Sequence, residues 1–188
     1  MRINEIFYSL QGEGCHAGTP AVFVRFAGCN LKCSFCDTAH EAFTEMSEED
    51  IVREVSRYPA RHIVLTGGEP TLQLTTSLVD RLHAGGWYVQ METNGTRPLP
   101  EGCRLEWVTC SPKDSPVRLT HIDELKVVYT GQDMTPYDHY EASVRSLQPC
   151  DTGHADENAR LLKASIAYCL DHPDWHLSLQ THKLLNIR

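Results

Sequence analysis

The stretch AVFVRFAGCNLKCSFCDT, residues 21–38, decides how this chain is read. Its first part, AVFVRF (21–26), is dense in valine and phenylalanine and reads as a buried strand. Its second part places Cys29, Cys33 and Cys36 in a C-x3-C-x2-C spacing directly after that strand. A structural zinc site takes four protein ligands, and this loop offers three thiolates. Thiolates suit zinc and iron–sulfur clusters alike. His16, His40 or a remote cysteine could complete a zinc site. A [4Fe–4S] cluster on three thiolates would instead leave one iron open to a small molecule. Spacing alone leaves both open, and the cluster is the favoured expectation.

The rest of the chain sets the frame. At 188 residues, 41% hydrophobic and 22% charged, it is long enough for one domain with a real core, 1–188. The net charge of -8, with no basic run, argues against a nucleic-acid groove, which needs clustered Lys and Arg. A small-molecule partner fits better. No apolar run approaches the ~20 residues that span a bilayer. The start, MRINEIFYSLQGEG, carries Glu5 and lacks the apolar centre of a signal peptide, so the expectation is cytoplasmic with no membrane. The other five cysteines, Cys15, Cys103, Cys110, Cys150 and Cys169, are scattered and read as small buried apolar residues.

Six further β-rich runs follow the first: 62–67, 87–93, 105–110, 124–129, 176–181 and, more weakly, 144–149. Three helices are expected. Ser47 and Asp50 resemble a capping box before Ile51, Val52, Val55 and Tyr58. Leu74, Leu78, Val79 and Leu82 form a stripe that ends at Gly85-Gly86. Leu161, Leu162, Ile166, Cys169 and Leu170 form another that stops before Pro173. Alternating strands and helices imply a parallel sheet. Segments 94–104 and 111–123 have no helical period, and a full barrel typically needs ~250 residues. The fold class is therefore α/β: an incomplete TIM-type barrel with several crossover helices reduced to loops. Function is expected at the C-terminal ends of the strands, where TGGEP (66–70), ETNG (92–95) and CSPK (110–113) fall.

In TGGEP, Gly67 and Gly68 allow close backbone approach to a ligand, and Pro70 suits the start of a helix. Ser111 and Lys113 can bind a carboxylate or a ribose hydroxyl. Thr38 offers the neutral oxygen that a hard cation such as Mg²⁺ accepts, although Asp37 is the more obvious ligand by charge. Arg25 is a charge inside an apolar strand. It must be paired or face a polar site, where it could fork onto a substrate carboxylate. The tail, LQTHKLLNIR (179–188), follows a buried-looking run, so the terminus is expected to be held against the fold.

C-x3-C-x2-C after a strand, with GGEP after the next clear strand, resembles the radical S-adenosylmethionine (SAM) superfamily. Together EIFYSLQGEG, GTPAVFVRFAGCNLKCSFCDT, TGGEP, METNG, CSPK, DELKVV and the final QTHK resemble the 7-carboxy-7-deazaguanine synthases, from Ile6 to the C-terminus. The resemblance implies a barrel of radical SAM type and conversion of 6-carboxy-5,6,7,8-tetrahydropterin to 7-carboxy-7-deazaguanine with loss of ammonia. This is a step toward queuosine and other 7-deazapurines. It implies that SAM binds the open iron, that a 5′-deoxyadenosyl radical takes the C6 hydrogen, and that SAM is recycled. It assigns Cys29, Cys33 and Cys36 to the cluster and Thr38 to Mg²⁺. SAM contacts fall on Phe35, Cys36, Asp37, Gly68, Ser111, Pro112, Lys113, Gln148, Pro149, Cys150 and Asp151. Pterin contacts fall on Leu10, Gln11, Gly12, Arg25, Thr66 and Arg188. QPCD (148–151) departs from the family's commoner QPM. A homodimer and an external electron donor such as flavodoxin or ferredoxin are implied too. The rivals are a glycyl-radical-enzyme activase, which would not need SLQGEG, Arg25 or the QTHK terminus, and a zinc-binding structural protein.

Overall fold

The structure is a computed structural model and describes residues 1–113 and 116–188. Nine strands form one sheet among the described residues. They are β1 (Arg2–Leu10), β2 (Pro20–Phe26), β3 (Thr44–Glu45), β4 (His62–Gly67), β5 (Tyr88–Thr93), β6 (Trp107–Cys110), β7 (Glu124–Tyr129), β8 (Val144–Pro149) and β9 (Trp175–Leu177). The spatial order is β3-β1-β2-β4-β5-β6-β7-β8-β9, so the barrel stays open. β1 runs antiparallel to β2, and from β2 to β9 every pairing is parallel.

Parallel neighbours need crossovers. Helices α1 (Glu48–Val55), α2 (Thr76–Ala84) and α3 (Ala155–Asp171) lie in the crossovers to β4, β5 and β9. The crossovers to β6 and β7 contain no helix among the described residues, and the one to β8 has only a 3₁₀ turn, Thr135–Tyr137. The expected reduction of crossover helices to loops is therefore observed.

Local chemistry explains the helix starts. The Ser47 hydroxyl accepts from the Asp50 amide at 3.1 Å, and the Asp50 carboxylate accepts from the Ser47 amide at 3.2 Å. Asp is thus long enough to close the capping box. α2 begins at Thr75, whose hydroxyl accepts from the Leu78 amide at 3.2 Å, and it stops at Gly85. Pro70 opens a separate 3₁₀ turn, Pro70–Leu72, ahead of α2.

Strand alternation then divides the sheet into two faces. Outward-facing Val22, Val24, Ile63, Leu65, Val89, Met91 and Val108 pack against Ile51 and Val55 of α1 and Leu78, Val79 and Leu82 of α2. Leu125, Val127 and Leu147 continue this layer beside Trp175.

Several expectations need correction. β1, β3 and a short C-terminal helix, α4 (Thr181–Leu185), were not expected. The run 176–181 is not a strand throughout: β9 ends at Leu177, and Thr181 begins α4. On α3 the buried positions are Leu161 and Ser165, one turn apart, whereas Ile166 and Leu170 are exposed. That helix covers a sheet edge, so only a narrow arc is buried. Of the scattered cysteines, Cys110 and Cys150 are buried, Cys103 and Cys169 are half-buried, and Cys15 is exposed.

Candidate active site

A cavity of about 900 Å³ opens among the C-terminal ends of the parallel strands. That is near the top of the usual range for small-molecule sites, roughly 300–1,000 Å³, and leaves room for a cofactor and a substrate. Its wall includes Cys29, Cys33 and Cys36 with Phe35, Asp37 and Thr38 from the loop after β2. Thr66 and Gly68 come from the end of β4, Ser111 and Lys113 from the loop after β6, and Gln148, Pro149, Cys150 and Asp151 from the end of β8. Leu10, Gln11 and Gly12 contribute from the end of β1, Arg25 from β2, and Arg188 from the C-terminus. Every residue that the family resemblance assigned to cluster, SAM, Mg²⁺ or pterin lines this cavity except Pro112, which is buried.

The cysteine loop is rooted by the glycine pair. The Gly68 amide donates to the Phe26 carbonyl at 3.0 Å, and the Glu69 amide donates to the Gly28 carbonyl at 2.9 Å. A Cβ on Gly68 would lie 2.0 Å from the Gly28 carbonyl oxygen, and one on Gly67 would lie 2.2 Å from that of Phe26. The expectation that these glycines admit a ligand is thus refined: the backbone they admit first is the root of the cysteine loop. Glu69 then fastens this corner to the next. Fully buried, its carboxylate accepts from the Thr71 amide and hydroxyl at 3.0 and 2.6 Å, the Thr93 hydroxyl at 2.7 Å and the Asn94 amide at 2.8 Å. TGGEP and ETNG are therefore one unit.

The cysteines suit a cluster. Cys29 Sγ receives the Leu31 amide at 3.4 Å and faces Asn94 Nδ2 at 3.9 Å, and N–H groups of this kind stabilise cluster sulfurs. Among the described residues, no three His, Cys, Asp or Glu side chains are arranged around a single ion. Thiolates that each bind a different iron need not converge on one point. His16 cannot supply a fourth zinc ligand to this loop. It lies at the opposite end of the sheet, with ring centroids 5.2 Å from His62, 5.9 Å from Tyr88 and 4.7 Å from Trp107, at the starts of β4, β5 and β6.

At β1, β2 and β4 the inner face carries an apolar cluster of Phe7, Ala21, Phe23 and Val64, but over β5 to β8 it is polar and buried, which sequence reasoning missed. Lys126 of β7 lies 2.7 Å from Glu13 and 2.9 Å from Glu92 of β5. Gln11 Nε2 donates to Glu92 at 2.7 Å. Deeper still, Glu124 accepts from the Ser146 hydroxyl at 2.6 Å, the Cys15 amide at 2.9 Å and the Thr109 hydroxyl at 3.1 Å. The loop after β1, which carries Gln11 to Gly14, thus forms the cavity floor and closes the barrel from beneath. Burial disfavours charge on Glu13, but the Lys126 ammonium and hydrogen bonds from Lys126 and Gln180 hold its carboxyl well below the usual carboxylate range. Burial likewise opposes charge on Lys126, and Glu13 and Glu92 overcome it to hold its pKa above the ordinary lysine value. Burial pushes Lys113 down, while nearby Cys33 pulls it back up, and its ammonium sits 5.0 Å from the Phe35 ring centroid.

Arg25 is paired with a carboxylate and also lines the cavity. Its Nε contacts Glu5 at 2.9 Å, while its side chain still faces the cavity. Arg188 also pairs with Glu5, and its carbonyl accepts from the Ser9 hydroxyl at 2.6 Å, so the C-terminus is indeed held. Asp37 is not left open for a metal as its charge first implied. Lys183 lies 2.9 Å from it, and Gln180 Nε2 donates to it at 3.1 Å. A signal for the missed residues exists: in QMET, ELKVVY and SLQP, polar residues alternate with apolar ones inside otherwise buried strands.

Three cluster-compatible cysteines at the mouth of an open parallel barrel define a radical SAM protein, and the Radical SAM superfamily model matches residues 23–107. A Bacteroides thetaiotaomicron protein named 7-carboxy-7-deazaguanine synthase is 56% identical over 188 residues, covering 100% of this chain and 98% of that protein. One of the same name from Burkholderia multivorans is 42% identical, with 98% of each chain covered. The crystal structure of QueE from Escherichia coli superposes with a TM-score of 0.77 at 31% identity, covering 96% of this chain and 94% of that one. This chain belongs to the 7-carboxy-7-deazaguanine synthase family of radical SAM enzymes.

Proposed function

We propose that this chain converts 6-carboxy-5,6,7,8-tetrahydropterin to 7-carboxy-7-deazaguanine with loss of ammonia. The observation that carries this reading is the single cavity shared by the cysteine loop, the GGEP corner and a buried polar floor. When bound, the cluster and SAM together supply one-electron hydrogen-atom abstraction. The protein's own part is to bind, orient and exclude water.

Cys29, Cys33 and Cys36 would hold the cluster. Phe35, Asp37, Gly68, Ser111, Lys113 and Gln148 to Asp151 would hold SAM, with Pro112 acting only by shaping its loop. The substrate carboxylate would meet Arg25, which lines the cavity while its Nε is held by Glu5. Leu10, Gln11, Gly12, Thr66 and the Arg188 terminus would complete the pterin pocket. Lys126, flanked by Glu13 and Glu92, keeps charges fixed beneath it. Fixed dipoles and charges need no reorganisation as the substrate reacts. Thr38 would bind Mg²⁺, since it lines the cavity and the neighbouring Asp37 is already engaged by Lys183.

The 188 residues act as one domain, expected to work in the cytoplasm as a homodimer supplied with electrons by a flavodoxin or ferredoxin. Among the described residues, no helix is long and apolar enough to cross a membrane. The test is anaerobic turnover of the tetrahydropterin with reconstituted enzyme, SAM, dithionite and Mg²⁺, read by mass spectrometry. 7-Carboxy-7-deazaguanine is the expected product, with less formed when Mg²⁺ is omitted. Cleavage of SAM with no deazapurine would overturn the reading.

A further inference from the structure

The C-terminal segment lines the cavity and is fastened at three places. At its start, the Thr181 amide and hydroxyl donate to the Gly12 carbonyl at 2.9 and 2.8 Å. At its end, Arg188 is held by Glu5 and Ser9 of β1. Between them, Lys183 of α4 reaches two loops that no strand pairing joins. It lies 2.9 Å from Asp37, in the cysteine loop, and 3.0 Å from Asp151, in the loop after β8. Asp151 is otherwise braced by the Gly153 amide of its own loop at 3.0 Å and by Asn158 Nδ2 of α3 at 2.8 Å.

We propose that Lys183 is a positioning residue, the latch by which the C-terminal segment holds the cysteine loop against the loop after β8. The inference rests on the reading of this cavity as the SAM and pterin site. Lys183 acts through Asp37, next to Cys36.

Charge explains why one lysine matters. The carboxylates of Asp37 and half-buried Glu13 share one donor, Gln180 Nε2, at 3.1 and 2.9 Å, so two like charges lie close together. Lys183 offsets that repulsion and binds Asp151 at the same time. Removing it leaves carboxylates facing one another across the mouth, so the loops are pushed apart as well as released. Because the segment's end also supplies Arg188 to the substrate side, the latch joins the two halves of the site. A loosened cysteine loop would let SAM be cleaved without substrate being converted.

The experiment compares reconstituted wild type, Lys183→Met and Lys183→Arg. Hydrogen exchange is read on peptides covering 29–38 and 62–67 without SAM or substrate. In turnover, product is measured against 5′-deoxyadenosine released. Lys183→Met is expected to raise exchange in 29–38 by roughly threefold to tenfold, the scale of one or two part-exposed ion pairs plus relieved balance. The core strand 62–67 should not change. Product per 5′-deoxyadenosine should fall, and Lys183→Arg should keep both readouts near wild type. Unchanged exchange in 29–38, or an equal rise in both peptides, would overturn the latch. Because exchange needs no turnover, a wild type inactive on the pterin would count against the proposed reaction and not against the latch.

Discussion

Strand β7 shows two faces of one sheet obeying different chemistry. Leu125 and Val127 point outward into a packed apolar layer, whereas Glu124 and Lys126 point inward. All four are buried. Outside, burial itself supplies the stabilisation, about 25 cal/mol for each Å² of apolar surface removed from water. Inside, burial opposes folding, and each charge is tolerated only because a partner lies within 2.6–3.1 Å. The outer face therefore holds the barrel together, and the inner face holds a polar chamber in place beneath the cysteine loop.

The comparison can be broken most severely at the mouth. Cys33→Ala should abolish turnover and cluster assembly while leaving thermal unfolding close to wild type, because the cysteine loop lies outside the three apolar clusters. Iron and sulfide analysis with calorimetry checks this; a variant that keeps its cluster and activity would contradict the site.

Next, Lys126→Met leaves Glu13 and Glu92 facing one another without their shared cation. Breaking one side of a buried ion network costs about 3–5 kcal/mol, read by urea unfolding. Adding Glu13→Gln and Glu92→Gln to it should restore much of the stability but not the activity. Leu125→Ala removes packing from the outer face and should cost about 2–5 kcal/mol of stability, with kcat at low temperature much less affected. If Leu125→Ala silenced turnover while the inner-face variant turned over normally, the division of roles would be wrong.

The smallest effect is with pH. The carboxyl of Glu13 is depressed on folding, so its stabilisation is present above the ordinary value of 4.5 and fades as pH falls from there through the lower folded value. Wild type should lose stability on acidification below about pH 4.5 more steeply than Glu13→Gln. Parallel acid-unfolding curves for the two would contradict the coupling to Lys126.

The outer face was the more legible from sequence. Its stripes in α1 and α2, the capping box at Ser47 and the strands at 62–67 and 124–129 follow from periodicity alone. The mouth was legible because its motifs are compact: three cysteines, two glycines and the turn residues of CSPK and QPCD. What escaped was assembled from afar. Lys126 meets a carboxylate 113 positions away, and Lys183 meets one 146 positions before it, in 37–183. No local pattern encodes such a pair. β1 escaped for a different reason: in RINEIFYSL the apolar residues Ile3, Ile6, Phe7, Tyr8 and Leu10 do not alternate with polar ones, so no strand period stands out, and only Ile3 and Phe7 are buried. On α3, apolar residues at helical spacing overstated burial, because Leu170 faces solvent.

The central claim is that this chamber carries out ring contraction with SAM as a recycled reagent. The most direct measurement is the ratio of 7-carboxy-7-deazaguanine formed to SAM consumed, under anaerobic turnover with limiting SAM and Mg²⁺ present. The account predicts many products per SAM consumed. SAM consumption that proceeds while no deazapurine accumulates would contradict it.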